Sequence, residues 1–237
     1  VVRTKWQDIY QQLRDRILRG QLKPGQDFPT NFELMKEFDA HAATIQNAVN
    51  ALIREGLVYS AENTTKKRSV RPLPYRLNRR GDIIKDSDDT GKESVLQLKI
   101  ITQERDIPRE IREEIEAPAL FYHTIHMRDD MITAIHKTYI PNLIPLDRLK
   151  SRLIKRNISI YDAIKILGYH PNECEETLIS SLASPDEIDE LEMPKNASIP
   201  IVRITRKVFD YRGRLLLISL MTDRADCYTF QYRFSLI

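Results

Sequence analysis

Between Trp6 and Val58 the apolar residues fall into three helix-length stripes separated by short breaks, and this order constrains the fold more than any other feature of the chain. Trp6, Ile9, Tyr10, Leu13 and Ile17 recur at three- and four-residue steps, one apolar face with Gln7, Gln11, Arg14 and Arg16 outside it. Gly20 is a stop, and Pro24-Gly25 makes a turn. Thr30 with Glu33 three residues on is a capping box, so a second helix starts there; Leu34, Met35 and Phe38 are its inward face and Asp39-Ala40 breaks it. A third helix starts near His41 or Ala42. Ile45, Ala48, Val49, Leu52 and Ile53 form its buried stripe, and Gly56 ends it at the C′ position.

Helix, turn, capped helix, short turn and helix, followed by Leu57-Val58-Tyr59, is the order of a winged helix-turn-helix, a DNA-reading module. After Tyr59 the chain turns through Asn63-Thr64-Thr65 into Lys66-Lys67-Arg68-Ser69-Val70. That predicts a two-stranded wing with three consecutive cations near its tip, suited to phosphates or a minor groove. The third helix turns Thr44, Gln46, Asn47 and Asn50 away from its apolar stripe. These are short polar side chains in the part of a recognition helix that faces base edges. Gln and Asn bond bidentately to adenine N6 and N7, each good pair discriminating by ~1–3 kcal/mol. A merely solvated helix face is the plainer alternative. The charge distribution favours DNA: residues 1–80 hold 15 Lys and Arg against 8 Asp and Glu, whereas the remainder holds 22 against 26. The expected DNA contacts are Thr30, His41, Thr44, Gln46, Asn47, Asn50, Lys66, Lys67 and Arg68.

Residues 72–93 read as a linker. Pro72 and Pro74 open it, Arg76, Arg79 and Arg80 charge it, and the stretch from Gly81 to Gly91 is polar without periodicity. From Ser94 the period changes to that of strands. Expected are a strand over 95–101, a short acidic helix over 108–116, strands over 120–127 and 132–140 around an Arg128-to-Met131 turn, and helices over 145–156 and 160–167. A strand near 173–183, a helix opened by Ser184-Pro185, and strands over 199–209, 214–222 and 228–236 follow. The chain is therefore α+β: 1–71 a winged helix-turn-helix, 72–93 a linker, 94–237 an antiparallel sheet with helices.

No stretch approaches the roughly 18 apolar residues of a membrane helix. Val1 opens a segment without a signal-peptide pattern, so no membrane partner is expected. Cys174 and Cys227 are far apart and lack CxxC or His neighbours, which argues against a disulfide framework or zinc site and fits a reducing cytoplasm. His123, His126 and His136 flank one hairpin. With a two-residue turn at Asp129-Asp130, His123 sits opposite His136; with a bulged turn, His126 shares a face with His136. No third ligand for a metal is evident. No acid/base pair or activated nucleophile is evident either, so neither catalytic residues nor a cofactor are expected.

The stretch from Tyr10 to Val70 resembles the GntR family of bacterial regulators. The family's "G-x-L-x-P-G" stands here as Gly20 to Gly25, and its "L-P-S-E-x-E-L-A" as Phe28-Pro29-Thr30-Asn31-Phe32-Glu33-Leu34-Met35. Its "V-S-R-x-T-V-R-x-A-L" stands as Ala40-His41-Ala42-Ala43-Thr44-Ile45-Gln46-Asn47-Ala48-Val49, and its "L-x-x-E-G-L-V" as Leu52 to Val58. The two arginines usual in the recognition segment are here Ala42 and Gln46, which implies a different, more A·T-rich operator. The usual Gly-x-Gly of the wing is replaced by a longer, lysine-bearing one. The C-terminal half resembles the UTRA effector domain of the HutC branch, related in fold to chorismate lyase, through Tyr139-Ile140-Pro141, Ser159-Ile160-Tyr161 and Arg224 to Phe230. The resemblance implies a small-molecule pocket over Thr124, His126, His136, Ser159, Tyr161, Leu217 and Tyr228. The usual pocket arginines fall on Thr124 and His126, and the usual acids on His136 and Leu217, so a less phosphate-like effector, or a pocket that has lost ligand binding, is expected. The resemblance further implies a repressor acting as a homodimer on an inverted repeat of operator DNA, with the linker relaying the effector state. A plasmid- or phage-type control protein without a ligand, or a lyase-like enzyme, are the alternatives.

Overall fold

The computed structural model describes residues 4–60, 68–71, 75–79, 92–128, 131–155, 158–193 and 199–232. The sequence expectation of a cationic wing tip at Lys66 and Lys67 lies outside the described residues. The chain divides into two compact units, one of Val1–Arg76, Leu182–Ile201 and Arg224–Thr229, the other of Leu77–Ser181, Val202–Asp223 and Phe230–Ile237.

In the first unit, helix α1 (Lys5–Leu18) begins at a Thr4–Gln7 capping box. Helix α2 (Asn31–Phe38) begins at Thr30, whose Oγ1 accepts from the Glu33 backbone N–H at 3.3 Å while the Glu33 carboxylate accepts from the Thr30 N–H at 2.7 Å. Asp39 closes α2 in the left-handed region (φ 43°), a conformation an Asp tolerates better than most side chains. Helix α3 (Ala42–Arg54) buries Ile45, Ala48, Val49 and Leu52 against Ile9, Leu13 and Leu34. Burying each large aliphatic side chain contributes roughly 1.5–3 kcal/mol, which holds the three helices as one body. The Glu55 carboxylate just past α3 accepts from Tyr10 OH (2.6 Å) and Arg14 Nε (2.8 Å), fastening α1 to the end of the recognition helix. Gly56 (φ +73°) then reverses the chain into strand β1 (Val58–Ser60), which pairs antiparallel with β2 (Arg68–Val70) in the register Val58↔Val70. Asp27 bridges to Ser69, and Phe28 N–H donates to the Arg68 carbonyl at 2.6 Å, so β2 is held on both sides.

The segment read as a linker carries strand β3 (Tyr75–Arg79), which forms a two-stranded sheet with a C-terminal strand. Its partner is distant in sequence and its length short, so no local period announces it.

The second unit is built on strand β4 (Lys92–Ile101), two 3-10 turns (Glu104–Asp106 and Arg109–Ile111), β5 (Ala119–Arg128), β6 (Met131–Pro141), α4 (Leu146–Lys155), α5 (Ile160–Ile166) and β7 (Pro171–Leu182). After α6 (Pro185–Glu190), capped by Ser184, come β8 (Pro200–Asp210), β9 (Leu215–Arg224) and β10 (Tyr228–Tyr232), the last being the partner of β3. The six-stranded sheet has the order β4-β5-β6-β9-β8-β7, antiparallel along β4, β5, β6 and β9. The acidic helix expected over 108–116 is instead a 3-10 turn. The four-residue spacing of Ile107, Ile111 and Ile115 survives, because all three are buried on one sheet face with Phe121, Tyr139 and Ile218. The opposite face carries α4 and α5 over Leu120, Tyr122, Ile140, Val208 and Leu217.

Candidate nucleic-acid interface and effector pocket

The expected DNA contacts separate by what their side chains already do. Thr30 is the N-cap of α2, and its hydroxyl also donates to Glu33 Oε2 at 2.8 Å. His41 is the N-cap residue of α3 but makes no side-chain cap bond. His41, Asn47 and Asn50 are exposed and Thr44 half-buried on the outer face of α3. Gln46 is engaged at both ends of its amide: Oε1 accepts from Asn31 Nδ2 (2.9 Å) and Nε2 donates to Asn50 Oδ1 (2.7 Å). Arg68, at the start of β2, donates from Nη1 to Asn31 Oδ1 at 2.6 Å. Partial burial pushes its guanidinium down from the ordinary value, and among the described residues no carboxylate pairs with it. Asn31 is the residue that sequence reading missed. Its signal was present, since it stands where the family pattern has Glu, just as Gln46 stands where the pattern has Arg.

The hairpin register follows the bulged alternative. Arg128 pairs with Met131 and Met127 with Ile132, but His126 pairs with Ala134, leaving Thr133 as the extra residue. Thr124 therefore sits opposite His136, and the His126 and His136 rings lie 4.2 Å apart on one face. His123 points to the other face, 5.9 Å from Phe121. Along the shared face the row runs Glu93, His126, His136, Asp223, with Glu93 Oε2 3.9 Å from His126 Nε2 and His136 Nε2 3.4 Å from Asp223 Oδ1. Glu93 also accepts from Tyr122 OH at 2.9 Å. Burial, reinforced by His126, holds His136 below the usual histidine range despite Asp223, so it is a neutral ring at pH 7. A row that follows four strands does not converge, and among the described residues no group of three metal-ligating side chains is placed to hold an ion.

Next along this face, Thr138 and Ser219 hydroxyls meet at 2.8 Å. Tyr161 accepts from Arg206 Nη1 at 3.1 Å, and Arg206 Nε is paired with Glu176 at 2.6 Å. Ser159 caps α5, accepting from the Asp162 N–H at 3.1 Å. Leu217 is fully buried in the core beneath α4 and α5. Tyr228 is buried within the first unit. The face thus offers hydroxyls, imidazoles and carboxylates, and its arginine is already neutralised.

In the first unit, the segment around Tyr228 also holds a buried polar cluster. Arg224 is 1% exposed, donates from Nη2 to Asp226 Oδ2 at 3.0 Å, and lies 4.9 Å over the Tyr59 ring. Tyr59 OH donates to Asp226 as well, and Arg71 Nε donates to the Asp226 carbonyl at 2.9 Å. Burial and the Asp226 charge raise the Tyr59 hydroxyl above its usual range, and push the Cys227 thiol up to about 12, so both stay protonated.

Residues 5–64 match the family model described as bacterial regulatory proteins, gntR family, and residues 89–229 match that of the UTRA domain. The HTH-type transcriptional repressor NagR of Bacillus subtilis (strain 168) is 25% identical over 227 residues, covering 94% of this chain and 91% of that protein. Among solved structures, PhnF from Mycobacterium smegmatis is similar with a TM-score of 0.57 at 19% identity, covering 95% of this chain and 98% of that one. The possible transcriptional regulator YydK from Bacillus subtilis subsp. subtilis str. 168 gives 0.55 at 16% identity, covering 98% and 100%. These two likenesses show a shared fold. With a capped recognition helix and wing in front and a UTRA match spanning more than half of its residues behind, the chain belongs to the gntR family of bacterial regulatory proteins.

Proposed function

We propose that this DNA-binding transcriptional regulator is a repressor of the HutC branch that works in the cytoplasm as a homodimer on an inverted-repeat operator, and that a small molecule bound by its UTRA domain modulates it. The observation that carries the reading is the outer face of α3, where exposed Asn47 and Asn50 and half-buried Thr44 stand clear of the apolar stripe. Beside it, Arg68 supplies a cation for the backbone. A two-fold protein on a two-fold site matches half-site spacing to its own symmetry. We assign 1–71 to DNA reading, 72–93 to a connector and 94–237 to effector binding and dimerisation. The NagR repressor named above supports repression as the sign of control. Effector contacts fall on Thr124, His126, His136 and Tyr161, with Ser159 and Leu217 shaping the site. Because Arg206 is already paired with Glu176, an uncharged or hydroxyl-rich effector fits better than a phosphate. The gntR and UTRA matches support regulation rather than catalysis as the role.

Footprinting on DNA from around its own gene at moderate salt tests the reading. Protection of an inverted repeat is expected, and absence of sequence-selective protection overturns it. Thermal-shift screening of sugars and organic acids, with Tyr161→Phe and His136→Ala as controls, tests the pocket. No stabilising compound from a broad library would favour a ligand-independent control protein instead.

A further inference from the structure

Arg68, Asn31, Gln46 and Asn50 form a chain of hydrogen bonds whose direction is set by its first member. A side-chain amide has an acceptor oxygen on one side and a donor NH2 on the other, and the two can be exchanged by a flip. A guanidinium has donors only and stays protonated. Facing Arg68 Nη1 at 2.6 Å, Asn31 must therefore present Oδ1. Its Nδ2 is then turned to Gln46 Oε1 at 2.9 Å, and Gln46 Nε2 to Asn50 Oδ1 at 2.7 Å. At exposed Asn50 the oxygen accepts from Gln46, and among the described residues no partner takes its NH2. Without the cation, the reversed order satisfies the same three amides equally well, with Asn50 donating inward and its oxygen facing out. Each bond polarises the next, so one charge orients the series cooperatively.

We propose that Arg68 sets the base preference of the recognition helix from a distance: through Asn31 and Gln46 it turns the Asn50 amide so that the opposing base edge meets only N–H donors, and the base selected there is guanine. Guanine presents two major-groove acceptors, O6 and N7, against one in adenine (N7) and one in thymine (O4), and adenine N6 and cytosine N4 are donors that require an acceptor. Arg68, Asn31 and Gln46 are positioning residues, and Asn47, exposed at the next position to Gln46, is left as the adenine reader. The inference rests on the DNA-reading role proposed above. It also departs from the more A·T-rich operator expected above, since the amide that looks most suited to adenine is committed elsewhere.

Selection of binding sites from a randomised duplex library with the full chain, followed by titrations on the selected duplex, tests it. Asn50→Ala marks the operator position concerned. The native chain and Arg68→Lys, which keeps a donor-only group, should prefer guanine over adenine there by about fivefold or more. Arg68→Glu places an acceptor before Asn31 and should reverse the series, abolishing that preference or turning it toward adenine or cytosine. Gln46→Glu leaves Arg68 in place and reverses only the last bond, so it should shift the same position alone. Melting temperatures of the variants confirm that each is folded. If both glutamate variants bind more weakly but rank the bases as the native chain does, the proposal is overturned while the DNA-reading role stands. If the native chain enriches no sequence at all, that role falls and the proposal with it.

Discussion

Two arginines of the same compact unit, Arg224 and Arg68, are held in opposite ways. Arg224 is buried, paired with Asp226 and laid over the Tyr59 ring. Arg68 is only partly buried and spends one of its five donors on a neutral amide. A buried guanidinium must have its carboxylate, because an uncompensated charge in a poor solvent is costly. Arg68, half-exposed and with no carboxylate partner among the described residues, has donors to offer an anion from outside. The first arginine is therefore a structural group, and the second is the one the proposal above assigns to recognition. The same contrast separates Asp226, which anchors three side chains, from Asn31, which passes a direction along.

The comparison breaks most easily at Asp226. Asp226→Ala leaves the Arg224 guanidinium buried without a carboxylate and the Tyr59 hydroxyl without its acceptor, and should cost about 3–5 kcal/mol in urea unfolding. Arg68→Ala should change stability by no more than about 0.5–1 kcal/mol while weakening binding to all duplexes and flattening the salt dependence. Equal losses from the two would end the distinction. Tyr59→Phe, which keeps the ring under Arg224 but removes the donor to Asp226, should fall between them at about 1–3 kcal/mol. Smaller still is Thr30→Ala. The Thr30 hydroxyl caps α2, so its loss should cost about 1 kcal/mol of unfolding free energy. If stability is untouched but operator affinity falls, Thr30 contacts phosphate rather than capping.

The helical stripes and caps could be read directly from residue spacing, because an α-helix repeats within the reach of a few residues. Ile45, Ala48, Val49 and Leu52 are buried as the period of α3 requires, and the Thr30–Glu33 and Ser184–Glu187 boxes stand where their residue pairs stand. The hairpin around 129–130 could be seen, but not its register: one extra residue, Thr133, decides whether His123 or His126 shares a face with His136. Strand β3 was hidden because its partner, β10, lies about 150 residues further on. The Tyr59–Asp226 bond joins residues 167 apart and had no local signature. Gln46 was legible as an outward polar residue, and its bond to Asn50 is a local i,i+4 contact within α3, but its engagement by Asn31 depends on how α2 crosses α3.

The histidine row of the second unit gives the smallest and most graded effect, a slope rather than a step. His136 faces His126 on β5 and Asp223 on β9, with Glu93 beyond on β4. Burial first, and then His126, hold its folded-state pKa below the value near 6.5 of an unfolded histidine, with Asp223 opposing in part. Between those two values the unfolded chain binds the extra proton, so stability rises with pH across that window. The contribution is complete above about pH 7 and is lost progressively as the solution is acidified through 6.5. Asp210, which desolvation would raise but hydrogen bonds from Arg214 hold below the usual carboxylate range, titrates further down and leaves the window clear. The melting temperature of the native chain should therefore fall from pH 7.5 to 5.5, and His136→Gln should flatten that slope. A native chain that melts higher at pH 5.5 would mean that His136 is charged against Asp223. The row would then be an ion pair of the Arg224 kind rather than a face whose His136 ring is uncharged and open to an uncharged ligand.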